Sequence, residues 1–547
     1  MSPSAPFARS LSAVLILAGS GFAQATASLP AGAPAALESI TQAELRERAG
    51  FFASDELGGR FTSTPGQRLA SEYVAKQLAA LGFEPLGDAP ADAATGARSF
   101  FQAWPVSRTR VDTERTSLEL AGKVHARGFG IIEAKGDAAV DAKGKLVFCE
   151  YGAPERLPER IAAGELPFVM LRTRSLAKIP VEAQFMQGLG LLGKATSIAG
   201  KLAERGATCV VFGMLHDDSS LGDFINYCGI TPDKPLVRYG NDRGMAAMVE
   251  GMRAAVPMMF LSRALTEEAL AAVGQKVDGA RFGAATDDDF DPSAHVRIAV
   301  VEDEAEAWNV CGVLRGSDEK LAAEAIVISA HIDHMGTRLD GRIFHGADDN
   351  ASGSASLLEV AEAFARGERP RRSVIVLSVA GEEEGLWGSK HWAEHPTWPI
   401  ESVVANINID MIGRVADLSG ADEISITPSY QHPKFSSIAR HAAGLAASLG
   451  LGLTSGDKFY ERSDHYNFAV RGIPVVFFCD GEHEDYHKVT DTADKLDYAK
   501  IERVARLAYW VGHEVANAAT RPEEIGRQTG WHADDEREAE SGGERRR

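Results

Sequence analysis

Imidazoles and carboxylates recur in this chain at one kind of position, just past apolar runs. His331 and Asp333 form a His-x-Asp directly after AIVISA (325–330). The acidic pair Asp348 and Asp349 lies in GADDNASG, and Glu382, Glu383 and Glu384 follow SVIVLSVA (373–380) and Gly381. Asp410 follows VVANINI (403–409), and His487 lies beyond IPVVFFC (473–479). Imidazole and carboxylate together favour zinc, with cobalt or manganese as substitutes. One carboxylate can bridge two cations about 3.5–4 Å apart, and such a pair polarises a carbonyl and acidifies bound water. A further carboxylate, close but unligated, has to carry the proton from water to a leaving amine. Asp333, two residues after His331, is spaced to orient a ligand imidazole. The pattern points to metal-assisted hydrolysis.

These residues meet only if the elements beneath them bring them to one place. Strands are expected at 309–316, 325–330, 373–380, 403–409 and 473–479, with helices at 354–367, near 388–395 and at 432–450. Near-continuously apolar strands alternating with helices predict an α/β fold, a mostly parallel central sheet sandwiched by helices. Ligands of such sheets bind at the carboxyl ends of the strands. Four strands deliver their polar residues there, where chance would scatter them. Ahead of the sheet, 38–87 carries two helices; Pro65 starts the second, Gly82 stops it, and SDELGGRFTSTPG turns the chain between them. A last helix spans about 499–519, with Ile501, Val504, Ala505, Ala508, Val511 and Val515 on one stripe.

The region 106–300 differs. KGKLVFCEYG (143–152), ATCVVFGM (207–214) and AAVPMMFLSR (254–263) are short apolar strands, and 192–207 is an amphipathic helix. No ligand-like spacing of His, Asp, Glu or Cys occurs there, so a structural or substrate-gating domain is expected.

Composition narrows the partners. The 547 residues are 45% hydrophobic and 24% charged, and 57 basic against 77 acidic side chains give a net charge of −20. That balance argues against nucleic acid or an anionic membrane as partner. Residues 1–27 have the form of a signal peptide, with Arg9, the core LSAVLILAG (11–19) and Ala-x-Ala sites, so a secreted or periplasmic location is expected. The five cysteines (149, 209, 228, 311 and 479) are scattered, odd in number and mostly in apolar runs, as buried free thiols would be. From Arg521 the chain is charged and almost without apolar residues, and a tail lacking fixed structure is expected over 521–547.

In order, AHIDHMG, GADDNASGSA, AGEEEGLWGS, NIDMIG and YHKVTDT resemble the motifs of the di-zinc exopeptidase family of secreted zinc aminopeptidases and glutamate carboxypeptidase. The likeness spans most of 38–105 and 305–518, and 143–275 is similar to the protease-associated domain that several members insert. The resemblance implies a discontinuous metallopeptidase domain over 28–105 and 301–520, interrupted by a β-rich, protease-associated-like domain at 106–300. It implies two Zn2+ per chain, with Co2+ or Mn2+ able to substitute. Asp348 would bridge them, His331 and Asp410 would complete one, and Glu383 and His487 the other. Glu382 would be the general base and acid, and Asp333 would support His331. Tyr460, in YERSDHYNF, would hydrogen-bond the developing oxyanion. The resemblance also implies a cis peptide between Asp348 and Asp349.

The expected activity is hydrolysis of peptide bonds by a metal-bridging water, as an aminopeptidase ahead of a carboxypeptidase or dipeptidase. A non-catalytic receptor, as the transferrin receptor is, and a single-zinc glutaminyl cyclase are the remaining relatives. A carboxypeptidase needs a cation for the terminal carboxylate, and Arg338, Arg342, Arg414 and Arg462 lie near the motifs. Asp349 is expected to be scaffold, and His334, His345, His465 and His483 to support ligands or be incidental rather than to ligate. His483 to His487 also matches H-E-x-x-H, which works only on a helix; the flanking KVTDTADK has no helical period, so only His487 is kept. Asn350-Ala-Ser352 matches a glycan acceptor by accident of its place in the site.

Overall fold

The computed structural model describes residues 32–528, leaving out 89, 93–96, 134–138, 180, 217–218, 243, 245–246, 248–250, 280 and 286–289. The expected signal peptide and the end of the tail lie outside the described residues.

The main sheet contains β1 (Phe101–Val111), β2 (Leu236–Arg238), β3 (Val300–Leu314), β4 (Ala325–His331), β5 (Ser373–Val379), β6 (Val403–Ile409), β7 (Glu423–Thr427), β8 (Gly452–Ser455) and β9 (Val475–Cys479). Their order is β2-β1-β3-β5-β4-β6-β9-β7-β8, and Glu84–Pro85 adds a short tenth strand beside β3. The strands β5, β4, β6 and β9 are mutually parallel. Around them the pairing turns antiparallel, at β3 with β5 and at β7 with β9. The sheet is therefore mixed, and the expectation of a mostly parallel sheet holds only for its centre. On one side the reason is topological: the chain leaves the sheet along β1 and re-enters along β3, so these two strands run side by side in opposite directions.

Strand side chains alternate between two cores, as the period of two requires. Ile326 and Ile328 pack with the helices α1 (Gln42–Phe52) and α2 (Pro65–Ala80) and the later helices of that face, while Val327 packs on the other side with Trp392 and Trp398. In α2 the Thr64 side chain accepts from the Gln67 N–H and Pro65 fills the first turn, the N-terminal signature seen in the sequence.

A second, eight-stranded sheet occupies 117–298. Its helices α3 (Val181–Glu204) and α4 (Ser220–Cys228) bury Leu202, Ile225 and Cys228 against Val210, Phe212 and Phe260. The segment is not wholly apart from the main sheet, because β2 returns from it to pair with β1.

After it come α5 (Gly353–Arg366), α6 (Trp387–Glu394), α7 (Ser437–Ala446) and α8 (Tyr498–Asn517), all close to their expected positions. The start of the tail departs from expectation. Arg521 donates to Glu324 at 2.8 Å, the Ile525 N–H donates to the Phe435 carbonyl at 2.8 Å and the Ile525 side chain packs on the core, so residues 521–528 dock on the protein. All five cysteines are buried and unbridged. No described helix is long and apolar enough to cross a membrane.

Candidate metal centre

Because β5, β4, β6 and β9 are parallel neighbours, their carboxyl ends open on one edge, and His331, Glu382, Glu383, Asp410 and His487 meet there as the sequence predicts. His331 Nδ1 lies 3.2 Å from the Asp333 carbonyl oxygen, which turns Nε2 toward Asp410 at 3.1 Å and Asp349 at 3.3 Å. The second Asp410 oxygen accepts from the Ser463 hydroxyl at 2.9 Å. His487 Nε2 is 2.9 Å from both Asp349 and Glu383, and His334 Nδ1 is 2.6 Å from the other Glu383 oxygen. Asp333 accepts from the Thr62 hydroxyl at 2.9 Å and from the Glu382 N–H at 3.3 Å, so it braces two neighbours at once.

One expected role moves by a residue. The carboxylate between His331 and His487 belongs to Asp349, not Asp348. Asp348 points the other way, accepting from the Gly413 N–H at 2.7 Å and lying 3.2 Å from His483 Nε2. The turn that separates the two is tight: Gly346 has φ +55°, and a Cβ there would stand 2.2 Å from the Asp349 carbonyl oxygen and 2.4 Å from the His334 ring. Asp491 fixes the next step by accepting from the N–H groups of Asp348 and Asp349 at 2.9 and 3.2 Å. The cis peptide is likewise one residue on, at Asp349-Asn350. The buried Asn350 side chain is spent on Gly353 and Ile409, which agrees with reading the glycan match as accidental.

Tyr460 is also placed elsewhere than expected. Its ring lies tilted against His432 at 4.0 Å and meets His465 and Tyr466 edge-on, and it does not line the cavity in front of the converging donors. Phe459 and Arg462, on either side, face the site instead. Residues 484–487 form turns, so the H-E-x-x-H match has no helix under it.

Among the described residues two groups could each hold a cation, with donor atoms within 4.8 Å of one another: His331, Asp349 and Asp410; and His334, Asp349 and Glu383. They share Asp349. His334, expected to be supporting or incidental, is thus placed within a donor group. Arg60 was missed altogether, because nothing in GGRFT marks it apart from a turn arginine. Its buried guanidinium donates to the carbonyls of Ile332 and His345 at 2.8 Å, Gly346 at 3.0 Å and Phe52, tying down the loop that carries the site.

Charge in the cluster is finely divided. Burial would lower the His331 pKa, but Asp410 and Glu382 outweigh it and raise it well above its ordinary value. Burial would raise Asp349, yet hydrogen bonds from His331 and His487 hold it well below the usual range. Glu383 is brought to about 2 against burial and the charge of Asp349, by His487 and His334. Glu382 goes the other way: burial and the charges of Asp410 and Glu383 push it well above the range, against the pull of His331. Burial holds Arg60 down to about 10, against the attraction of Asp349 and Asp333. A pocket with this many carboxylates, imidazoles oriented by second partners, and one carboxylate shared by two donor groups fits a pair of divalent cations.

Residues 309–511 match the profile of peptidase family M28. The chain carries an M28 peptidase domain. The site residues named above from His331 to His487 all lie inside the matched span. A probable zinc metalloprotease of Leptosphaeria maculans is 27% identical over 236 residues, 36% of this chain and 54% of that protein. A probable glutamate carboxypeptidase of Arthroderma benhamiae is 36% identical over 124 residues, 21% of this chain and 16% of that protein. A probable leucine aminopeptidase of Trichophyton verrucosum is 26% identical over 219 residues, 38% of this chain and 58% of that protein. The chain therefore spans less than two thirds of each of these relatives. Among solved structures, a zinc aminopeptidase from Bacillus subtilis matches with TM-score 0.52 and 15% identity over 91% of this chain and 98% of that one, a likeness of fold.

The candidate site opens on a cavity of about 580 Å3 reached by Glu382, Glu383 and His487. Asp223, Phe224 and Tyr227 of α4 line its opposite wall, so the second sheet contributes directly to the space in front of the donors.

Proposed function

We propose that this protein is a di-zinc exopeptidase that releases residues from the amino terminus of peptides. The observation that carries the reading is Asp349, placed between His331 and Asp410 on one side and Glu383 and His487 on the other. One zinc would be held by His331, Asp410 and Asp349, the other by Glu383, His487 and Asp349, with His334 on the outer oxygen of Glu383. Co2+ or Mn2+ suits the same donors. Bound there, the pair would polarise the scissile carbonyl and acidify water. Glu382 stands at the cavity with a raised pKa, its N–H tied to Asp333, and so is suited to take the proton from the attacking water and give it to the leaving amine.

The surroundings favour an amino terminus over a carboxyl terminus. The four arginines that could clamp a carboxylate are engaged: Arg338 with Asp223 and Asp340, Arg342 with Asp340, Arg414 with Asp485, and Arg462 with Glu482. The cavity wall meanwhile carries Glu461 and, 3.9 Å from Lys390, Asp242, which suit an ammonium group. The second sheet is read as the protease-associated-like insert, and export by residues 1–27 belongs to the same proposal. Peptide is the substrate; nucleic acid and membrane are not partners.

The test is release of free amino acids from peptides blocked at one end. Acetylated peptides should be spared, carboxyl-amidated ones cleaved, and a zinc chelator should abolish turnover until Zn2+ is restored. Cleavage of acetylated peptides from the carboxyl end overturns the aminopeptidase reading, and full activity in chelator overturns the metal.

A further inference from the structure

The helix α4 belongs to the second sheet, yet Asp223 and Tyr227 line the cavity in front of the site and Asn226 meets the loop beside it. Asp223, Asn226 and Tyr227 are spaced i, i+3 and i+4, which puts them on one face. The opposite face, Leu221, Ile225 and Cys228, is buried in the core of the second sheet. Asp223 receives Arg338 at 2.8 Å, and the Asn226 amide donates to the Met335 carbonyl at 3.0 Å, so the helix is fastened to the loop that follows His331 and Asp333. Lys234 closes the arrangement by donating to the Asn226 carbonyl at 2.7 Å.

Tyr227, the third residue of the face, is a hydrogen-bond partner of His487 Nδ1. His487 needs such a partner. It sits in a turn at φ +53°, a backbone region that few residues other than glycine adopt and that persists only where the surroundings fix it. One face of the ring is covered by Tyr486 at 3.8 Å, and Nε2 faces Asp349 and Glu383. Only Nδ1 remains to set the rotation and the tautomer. An imidazole that ligates through one nitrogen is generally fixed by what the other nitrogen donates to. His331 has the Asp333 carbonyl for this purpose, supplied by its own loop. For His487 the partner comes from a segment some 260 residues earlier in the chain.

We propose that Tyr227 is a positioning residue for His487, so that the second sheet is a working part of the metal centre and not only a wall or a gate. This rests on reading His487 as a ligand. The hydroxyl accepts from Nδ1–H, which leaves the Nε2 lone pair directed at the cation shared with Glu383 and Asp349. The centre holding His331 and Asp410 shares Asp349 with this one but does not include His487.

The test is titration of the full, metal-stripped chain with Zn2+ alone against a chromophoric chelator, repeated with Co2+ so that the visible spectrum of each equivalent is read. Tyr227→Phe keeps the ring and loses the hydroxyl. It should bind one equivalent as the wild type does and the other about 10–100-fold more weakly, with a changed Co2+ spectrum for that equivalent and an unchanged melting temperature of the stripped protein. Ile225→Val, in the buried face of the same helix, should lower the melting temperature and leave both equivalents intact. Two tight equivalents in Tyr227→Phe overturn the inference alone, as does equal weakening in Ile225→Val, which would make the effect one of packing. A wild-type chain that holds only one equivalent overturns the two-metal reading and the inference with it.

Discussion

Asp348 and Asp349 are consecutive, and their carboxylates serve opposite sides of the chain. Asp349 stands between the imidazoles of His331 and His487, while Asp348 accepts from the Gly413 N–H and faces His483. The two therefore fail differently. Asp349→Asn should strip the site of metal and reduce kcat/KM at least about 100-fold. Asp348→Asn should keep both equivalents and destabilise the fold by about 1–3 kcal/mol, the cost of a weakened charged acceptor in a buried place. Metal content by mass spectrometry and urea melts separate them; metal loss in Asp348→Asn with retention in Asp349→Asn would reverse the assignment.

Glu382 touches the cavity without being central to either donor group, lying 4.0 Å from His331 Nε2. Glu382→Gln should keep both metals and lose about 10²–10⁴-fold in kcat, with KM little changed. Wild-type turnover in that variant would remove it from the proton-transfer role.

Arg60 contributes to stability through four carbonyls of two separate segments. Arg60→Met leaves those acceptors buried and should cost about 3 kcal/mol or more in urea melts of the stripped protein. Arg60→Lys should recover only part, since an ammonium lacks the planar fork that reaches several acceptors at once. A variant as stable as the wild type would show that water replaces the guanidinium.

His391 provides a pH test away from the metal site. Its pKa is lowered from 6.5 to about 4, by burial first and then by His395, and its Nδ1 is bonded to the Tyr239 hydroxyl at 2.8 Å. A base with a depressed folded pKa binds its proton more readily when unfolded. Stability from this group is thus present above pH 6.5, falls as pH drops below 6.5, and is fully lost below about 4. His391→Gln should flatten the dependence of unfolding free energy on pH between 4 and 6.5, measured by urea melts at several pH values. An unchanged slope would mean that His391 titrates alike in both states.

By itself the sequence determined the centre of the molecule. Apolar runs six to eight residues long, each followed by imidazole or carboxylate, specified parallel strands with chemistry at one end, because a parallel sheet is covered on both faces and binds ligands at the carboxyl ends of its strands. Val403–Ile409 falls where the pattern puts it, and His331, Glu382, Glu383, Asp410 and His487 converge as their strands require. The margins were less legible: Glu423–Thr427 and Gly452–Ser455 are short, and their pairing depends on neighbours distant in sequence. Only the tertiary structure decided which of two adjacent aspartates faces the imidazoles, since a tight turn after Gly346 sends them in opposite directions and composition is the same for both. It also decided that Tyr460 packs against His432 and does not line the cavity, and that Tyr227, from a helix with no ligand-like spacing, meets His487. Local pattern fixes which residues a strand presents; the partners they find across hundreds of residues follow from how the layers pack.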